Sequence, residues 1–232
     1  MDAGIQIEPQ FGFSFEEFVG IAREAESLGF SHFWTSDHFF LAPEEPQTEC
    51  LEAWSLLAAL SQVTTRLRLG TLVTCQSYRS PALLAKIAAG VDVMSGGRLE
   101  FGVGAGWKEV EYTAYGFPFP PAGVRVGQLV DTLEIVRAMW TTERATYGGR
   151  YYSVRDALCS PKPVQRPHPP ILVGAAGDRM LRVVACESAA SSVHASRESV
   201  CGSSGRKKKW SEVQKCEKPS ASASRARPAI SS

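Results

Sequence analysis

No stretch of this chain reaches 18 consecutive apolar residues, and its N-terminal segment has no basic patch followed by an apolar run. Neither a membrane span nor a secretory signal is expected. The six cysteines (Cys50, Cys75, Cys159, Cys186, Cys201 and Cys216) contain no CxxC pair and no close Cys/His pairing. In 232 residues without a signal peptide, that usage points to reduced cytoplasmic thiols rather than a disulfide frame or a zinc site. Net charge is nearly absent as well, at +1. The balance hides an asymmetry, because residues 1–185 carry an excess of acids and residues 186–232 an excess of bases.

What is present over residues 1–185 is alternation. Short apolar runs at Gly4–Glu8, His32–Thr35, Leu67–Val73, Leu99–Val103 and Ile171–Val173 read as strands. Amphipathic segments lie between them. Ser14 and Glu17 have the spacing of a capping box, followed at helical period by Phe15, Phe18, Val19, Ala22, Ala25 and Leu28, with Gly29 as a stop. A second helix is expected around Cys50–Gln62. Ser80 and Pro81 open a third, which ends at Gly96 and Gly97. A fourth covers about 124–140, and Tyr147–Arg150 marks a hairpin in the next connection. A last helix starts over Asp178–Ala185. Strand–helix–strand order repeated in this way gives parallel strands with right-handed crossovers. The pattern alone leaves a doubly wound sheet and an eight-stranded barrel equally open.

Residues 186–232 break the alternation. Serine is abundant, aliphatic β-branched residues are sparse, and no apolar period survives. Such a composition cannot bury enough surface to offset chain entropy, so a disordered tail is expected. The short basic run Arg206–Lys209 reads as a solvated charge run rather than a nucleic-acid patch. No nucleic-acid and no membrane partner is expected.

Parallel α/β proteins meet their ligands at the carboxyl ends of strands. After the second strand stand Asp37 and His38, a carboxylate and an imidazole suited to orienting a ring and moving protons. Equally, Asp37 can cap the following loop while His38 packs on Phe39. The third strand ends at Leu72, Val73 and Thr74, readable as a buried strand running into a polar loop. After the fourth, Gly102, Gly104 and Gly106 alternate with Val103, Ala105 and Trp107, which lets either a ligand or a neighbouring chain approach the backbone. After the fifth come Gly174, Ala175, Ala176 and Gly177, a small-residue turn at a helix entry.

Several of these stretches carry a resemblance. Trp34-Thr35-Ser36-Asp37-His38-Phe39, Ser95-Gly96-Gly97-Arg98-Leu99-Glu100, Gly102 through Trp107, and Glu111-Tyr112 through Gly116–Pro121 resemble the luciferase-like monooxygenase superfamily. Gly149–Tyr152 and Pro161–Ile171 are similar to its mycobacterial-type, coenzyme F420-dependent branch. The resemblance covers about residues 3–185 and implies a TIM-type (β/α)8 barrel, truncated after about five βα units. It implies an oxidoreductase transferring a hydride between coenzyme F420 and a small organic substrate. The alternatives are an FMN-dependent monooxygenase and a truncated, inactive remnant. It further implies a non-proline cis peptide at Leu72-Val73 pressed toward the cofactor ring, with Thr74 beside it. Asp37 would bond the ring edge, and His38 would give or take a proton. Gly104, Ala105, Gly106, Gly174, Ala175, Ala176 and Gly177 would contact ring and side chain through their backbones, Trp107 would wall the substrate pocket, and no metal is needed. Relatives of this kind often form homodimers. They continue past the fifth helix with three more strands, whereas the pattern here ends near Ala185, as a shift of reading frame or an unrelated terminal exon would produce.

Overall fold

In a computed structural model, residues 3–174 and 193–196 are described, and all of them belong to the unit Met1–Ser199. The strands are β1 (Gly4–Gln6), β2 (His32–Thr35), β3 (Arg68–Thr71), β4 (Thr74–Cys75), β5 (Leu99–Gly104), β6 (Ala145–Gly148), β7 (Ser153–Ala157), β8 (Ile171–Gly174) and β9 (Val193–Ser196). The helices are α1 (Phe15–Ser27), α2 (Ala53–Val63), α3 (Pro81–Met94), α4 (Glu109–Ala114) and α5 (Ala122–Thr141). The main sheet runs β1-β2-β3-β5-β8-β9, with β4 also paired to β5, and every pairing in it is parallel. Strands pairing in this order, with helices in the described crossovers between β1 and β8, give the mostly parallel α/β architecture of an incomplete TIM-type barrel. Strands β6 and β7 form the expected hairpin, antiparallel and separate from the main sheet.

Period-two alternation decides which strand residues meet the helices. Phe33, Leu69, Leu99, Phe101, Val103, Ile171 and Val173 point to the helical side and are buried. They pack with Phe18, Leu57, Leu60, Leu84, Leu129, Leu133 and Trp140 into one apolar core. The alternate residues His32, Trp34, Arg68 and Glu100 lie on the other face and are only partly covered.

Local chemistry sets the helix ends. Ser14 accepts from Glu17 N–H at 3.3 Å while Glu17 accepts from Ser14 N–H at 2.9 Å, which is the anticipated capping box. Ser80 caps α3, with Pro81 in its first turn. Helix α2 begins later than expected, because the Glu52 carboxylate takes the N–H groups of Trp54 and Ser55. Arg98, in the Ser95–Glu100 motif, donates to the carbonyls of Ser61, Thr64, Leu67 and Ser95, gathering the end of α2 and the start of β3.

The structure departs from the sequence reading at three points. The third strand is not continuous over 67–73: β3 ends at Thr71, the Leu72-Val73 peptide is cis, as the resemblance implied, and pairing resumes in β4 at Thr74. Helix α4 was not anticipated, since its six residues are too few to display a period. The serine-rich segment from residue 186 contains a strand, β9, which adds to the sheet beside β8 in parallel register from Val193 to Ser196. The helix expected over Asp178–Ala185 and the rest of the tail, including Arg206–Lys209, lie outside the described residues. No helix among the described residues is long and apolar enough to cross a membrane.

Candidate active site

The carboxyl ends of β2, β4, β5 and β8 open onto one cavity of about 390 Å³. Asp37, His38, Leu72, Val73, Thr74, Gly104, Ala105, Gly106, Trp107 and Gly174 all line it. The strand-end segments singled out by sequence therefore converge, and Ala175, Ala176 and Gly177 lie outside the described residues. Glu8, Cys75, Tyr78, Lys108, Arg125 and the first turn of α5 complete the wall.

The floor is made by the cis peptide and by glycines. A Cβ on Gly104 or on Gly174 would stand 2.7 Å from Val73 Cγ2, closer than carbon atoms pack. One on Gly102 would collide with the Thr71 carbonyl. The glycines of β5 and β8 thus first serve to admit the Leu72-Val73 segment against the backbone, one of the two approaches left open above. Gly106 is constrained twice, with φ at +77° and with the Tyr112 hydroxyl and Cys75 Sγ filling the space a side chain would need.

Asp37 and His38 are neighbours but address different partners, as adjacent residues on extended chain do. The Asp37 carboxylate receives both terminal nitrogens of Arg79, at 2.8 and 2.9 Å, and the Cys75 N–H at 3.1 Å. Arg79 in turn bonds Glu52, the cap of α2. Burial pushes the Asp37 carboxyl up, against the pull of Arg79 and of the Cys75 amide. Within the chain, then, Asp37 clamps β4 to the loop after β2.

His38 Nδ1 lies 3.1 and 3.0 Å from the two carboxylate oxygens of Glu111. Glu111 is fully buried and also accepts from the Phe39 N–H at 3.0 Å, the Tyr78 hydroxyl at 2.8 Å and Lys108 Nζ at 3.0 Å. Although burial opposes the charge, His38, Tyr78 and Lys108 hold the Glu111 carboxyl at about 2. Lys108 reaches on to the carbonyls of Phe40 and Leu41, fastening the loop after β2 to α4. The Trp107 ring stands edge-on to His38 at 5.7 Å, and the residue is 69% exposed, forming the outer rim.

Glu111, Arg79, Glu52 and Tyr78 were not singled out from sequence as site residues. Glu111 stood inside a motif, but nothing about its spacing announces a partner 73 positions earlier. Burial pushes the Cys75 thiol up to about 11, so it sits in the wall as a neutral group. Among the described residues no cluster of three or more His, Cys, Asp or Glu side chains is arranged to hold a metal ion.

Residues 2–196 match the family model described as luciferase-like monooxygenase. An uncharacterized protein of Mycobacterium tuberculosis is 39% identical over 171 residues, covering 67% of this chain and 59% of its own. An F420-dependent glucose-6-phosphate dehydrogenase of Microbacterium testaceum is 35% identical over 169 residues, covering 72% of this chain and 49% of its own. Monooxygenase RslO1 of Streptomyces bottropensis superposes with a TM-score of 0.70 at 29% identity, over 80% of this chain and 57% of that one. An F420-dependent secondary alcohol dehydrogenase, solved with an F420–acetone adduct, gives 0.70 at 25% identity over 80% and 56%. The chain thus spans between 49% and 59% of the length of the two curated relatives.

Proposed function

The chain belongs to the luciferase-like monooxygenase family, and from that membership we propose an oxidoreductase that passes a hydride between coenzyme F420 and a small organic substrate. One observation carries the reading: His38, the Leu72-Val73 peptide and the Gly104–Trp107 turn all border a single cavity of about 390 Å³. That volume lies within the range of cofactor pockets. The wall is suited to a flat heteroaromatic ring. Leu72, Val73, Ala105 and Val126 supply apolar surface, and Gly104, Gly106 and Gly174 border the same space. When bound, a deazaflavin supplies the hydride chemistry itself. The protein's own part is to seat the ring on Val73, to keep water from its face, and to hold His38 where it exchanges a proton with substrate.

Relatives whose names state F420 dependence, at 35% and 30% identity, favour the deazaflavin. A second reading, reduced FMN with oxygen as co-substrate, is favoured by the 29% identity to monooxygenase RslO1. Both readings carry a cytoplasmic setting and a homodimer.

Titration of the full chain with F420 and with FMN, followed by the change in cofactor fluorescence, separates them. Saturable, stoichiometric F420 binding with weak FMN binding is expected. Tight FMN binding without F420 binding overturns the first reading in favour of the second. Binding of neither, by a chain that melts without a cooperative transition, leaves the inactive remnant.

A further inference from the structure

Glu111 decides which nitrogen of His38 is available to a ligand. We propose that Glu111 is a positioning residue that holds His38 as its Nδ1–H tautomer, leaving Nε2 as the nitrogen that exchanges a proton in the cavity. The inference rests on His38 being the proton-exchanging residue of the proposed function.

An ionised carboxylate only accepts hydrogen bonds. His38 Nδ1 lies at hydrogen-bond distance from both Glu111 oxygens, 3.1 and 3.0 Å, so that nitrogen carries the hydrogen. The carboxylate is not free to swing away, because Phe39 N–H, Tyr78 O–H and Lys108 Nζ hold it from other directions. With Nδ1 engaged, the remaining ring nitrogen belongs to a side chain that lines the cavity. The Cys50 thiol donates to the His38 carbonyl at 3.2 Å and steadies the backbone beneath the ring.

The chemical consequence follows. A proton accepted at Nε2 turns the ring into an imidazolium, whose charge the buried carboxylate offsets at 3.0 Å. When the proton leaves again, the same neutral tautomer is restored, so the ring need not reorient between turnovers. Loop anchoring alone would require only the bonds from Phe39 and Lys108. The bond to the imidazole is additional to that need.

The tautomer can be read directly by long-range ¹H–¹⁵N NMR of histidine-labelled full chain at alkaline pH, with His38→Asn assigning the resonance among the four histidines. A bond to an ionised acceptor should hold at least about a tenfold excess of Nδ1–H over Nε2–H. In Glu111→Met that excess should collapse, with the Nε2–H form appearing. Should Glu111→Met not fold, Glu111→Gln offers one acceptor oxygen to four donors and should give a mixture. A His38 that is mainly Nε2–H in the wild type overturns the proposal, and so does a folded variant with an unchanged tautomer. The measurement uses the cofactor-free chain, so failure to bind F420 or FMN leaves it intact, and a wrong tautomer leaves the cofactor assignment standing.

Discussion

Val73 is held between Gly104 and Gly174, and its two methyl groups occupy the space where their side chains would begin. Gly104→Ala should therefore cost about 1–3 kcal/mol by overpacking. Val73→Ala in the same chain should recover part of that loss, since the colliding methyl is removed. Urea unfolding of both single variants and the double variant measures the coupling; strictly additive losses would mean the glycine is not there to seat Val73. Glu111 gives a second test at this scale. Its carboxyl is depressed from 4.5 to about 2, so its contribution to stability is complete above the ordinary value and disappears as pH falls toward 2. The melting temperature of the wild type should drop between those limits more steeply than that of Glu111→Gln. Glu26 keeps some slope in both, because against its own desolvation the amides of Arg66, Leu67 and Thr65 hold it at about 2 too. Parallel curves would contradict the assignment to Glu111.

At the scale of elements, caps were legible and clamps were not. Ser14 with Glu17, and Ser80 with Pro81, announce helix starts because the chemistry is contained within four residues. The division of β3 from β4 left no trace in the residue types of Leu67–Val73; only the family resemblance implied the cis bond there. Three carboxylates that fasten distant loops were equally silent. Asp92 on α3 accepts from the Val164 and Gln165 amides, and Glu26 from those of residues 65–67. Asp131 on α5 accepts from the amides of Tyr151 and Tyr152 and from the Tyr147 hydroxyl. Each sits in an ordinary helical pattern, and its partners are fixed only by tertiary structure. Removing such an acceptor leaves half-buried donors unpaired, so Asp131→Ala should cost about 1 kcal/mol. Amide exchange at Tyr151 and Tyr152 should accelerate while that of α1 does not change. Unaltered exchange at both tyrosines would show that the hairpin is held by other means.

Across the whole molecule, the order of parallel strands was left open by alternation and was supplied by the family motifs. The strand tips at Asp37-His38, Leu72–Thr74 and Gly104–Trp107 could be named beforehand because parallel topology sends every βα loop to the same end of the sheet. Their supporting residues could not, because Arg79, Glu52 and Glu111 reach the site from separate helices and loops. Convergence of those tips on a ring-shaped ligand is the central claim. Hydrogen exchange of the full chain, compared with and without saturating F420, tests it by location. The account predicts slowed exchange at residues 37–38, 72–75 and 104–107, with the groove between α2 and α3, lined by Trp54, Ala58, Leu83 and Ile87, unaffected. Protection confined to that groove, or no protection at the three strand tips, would contradict it.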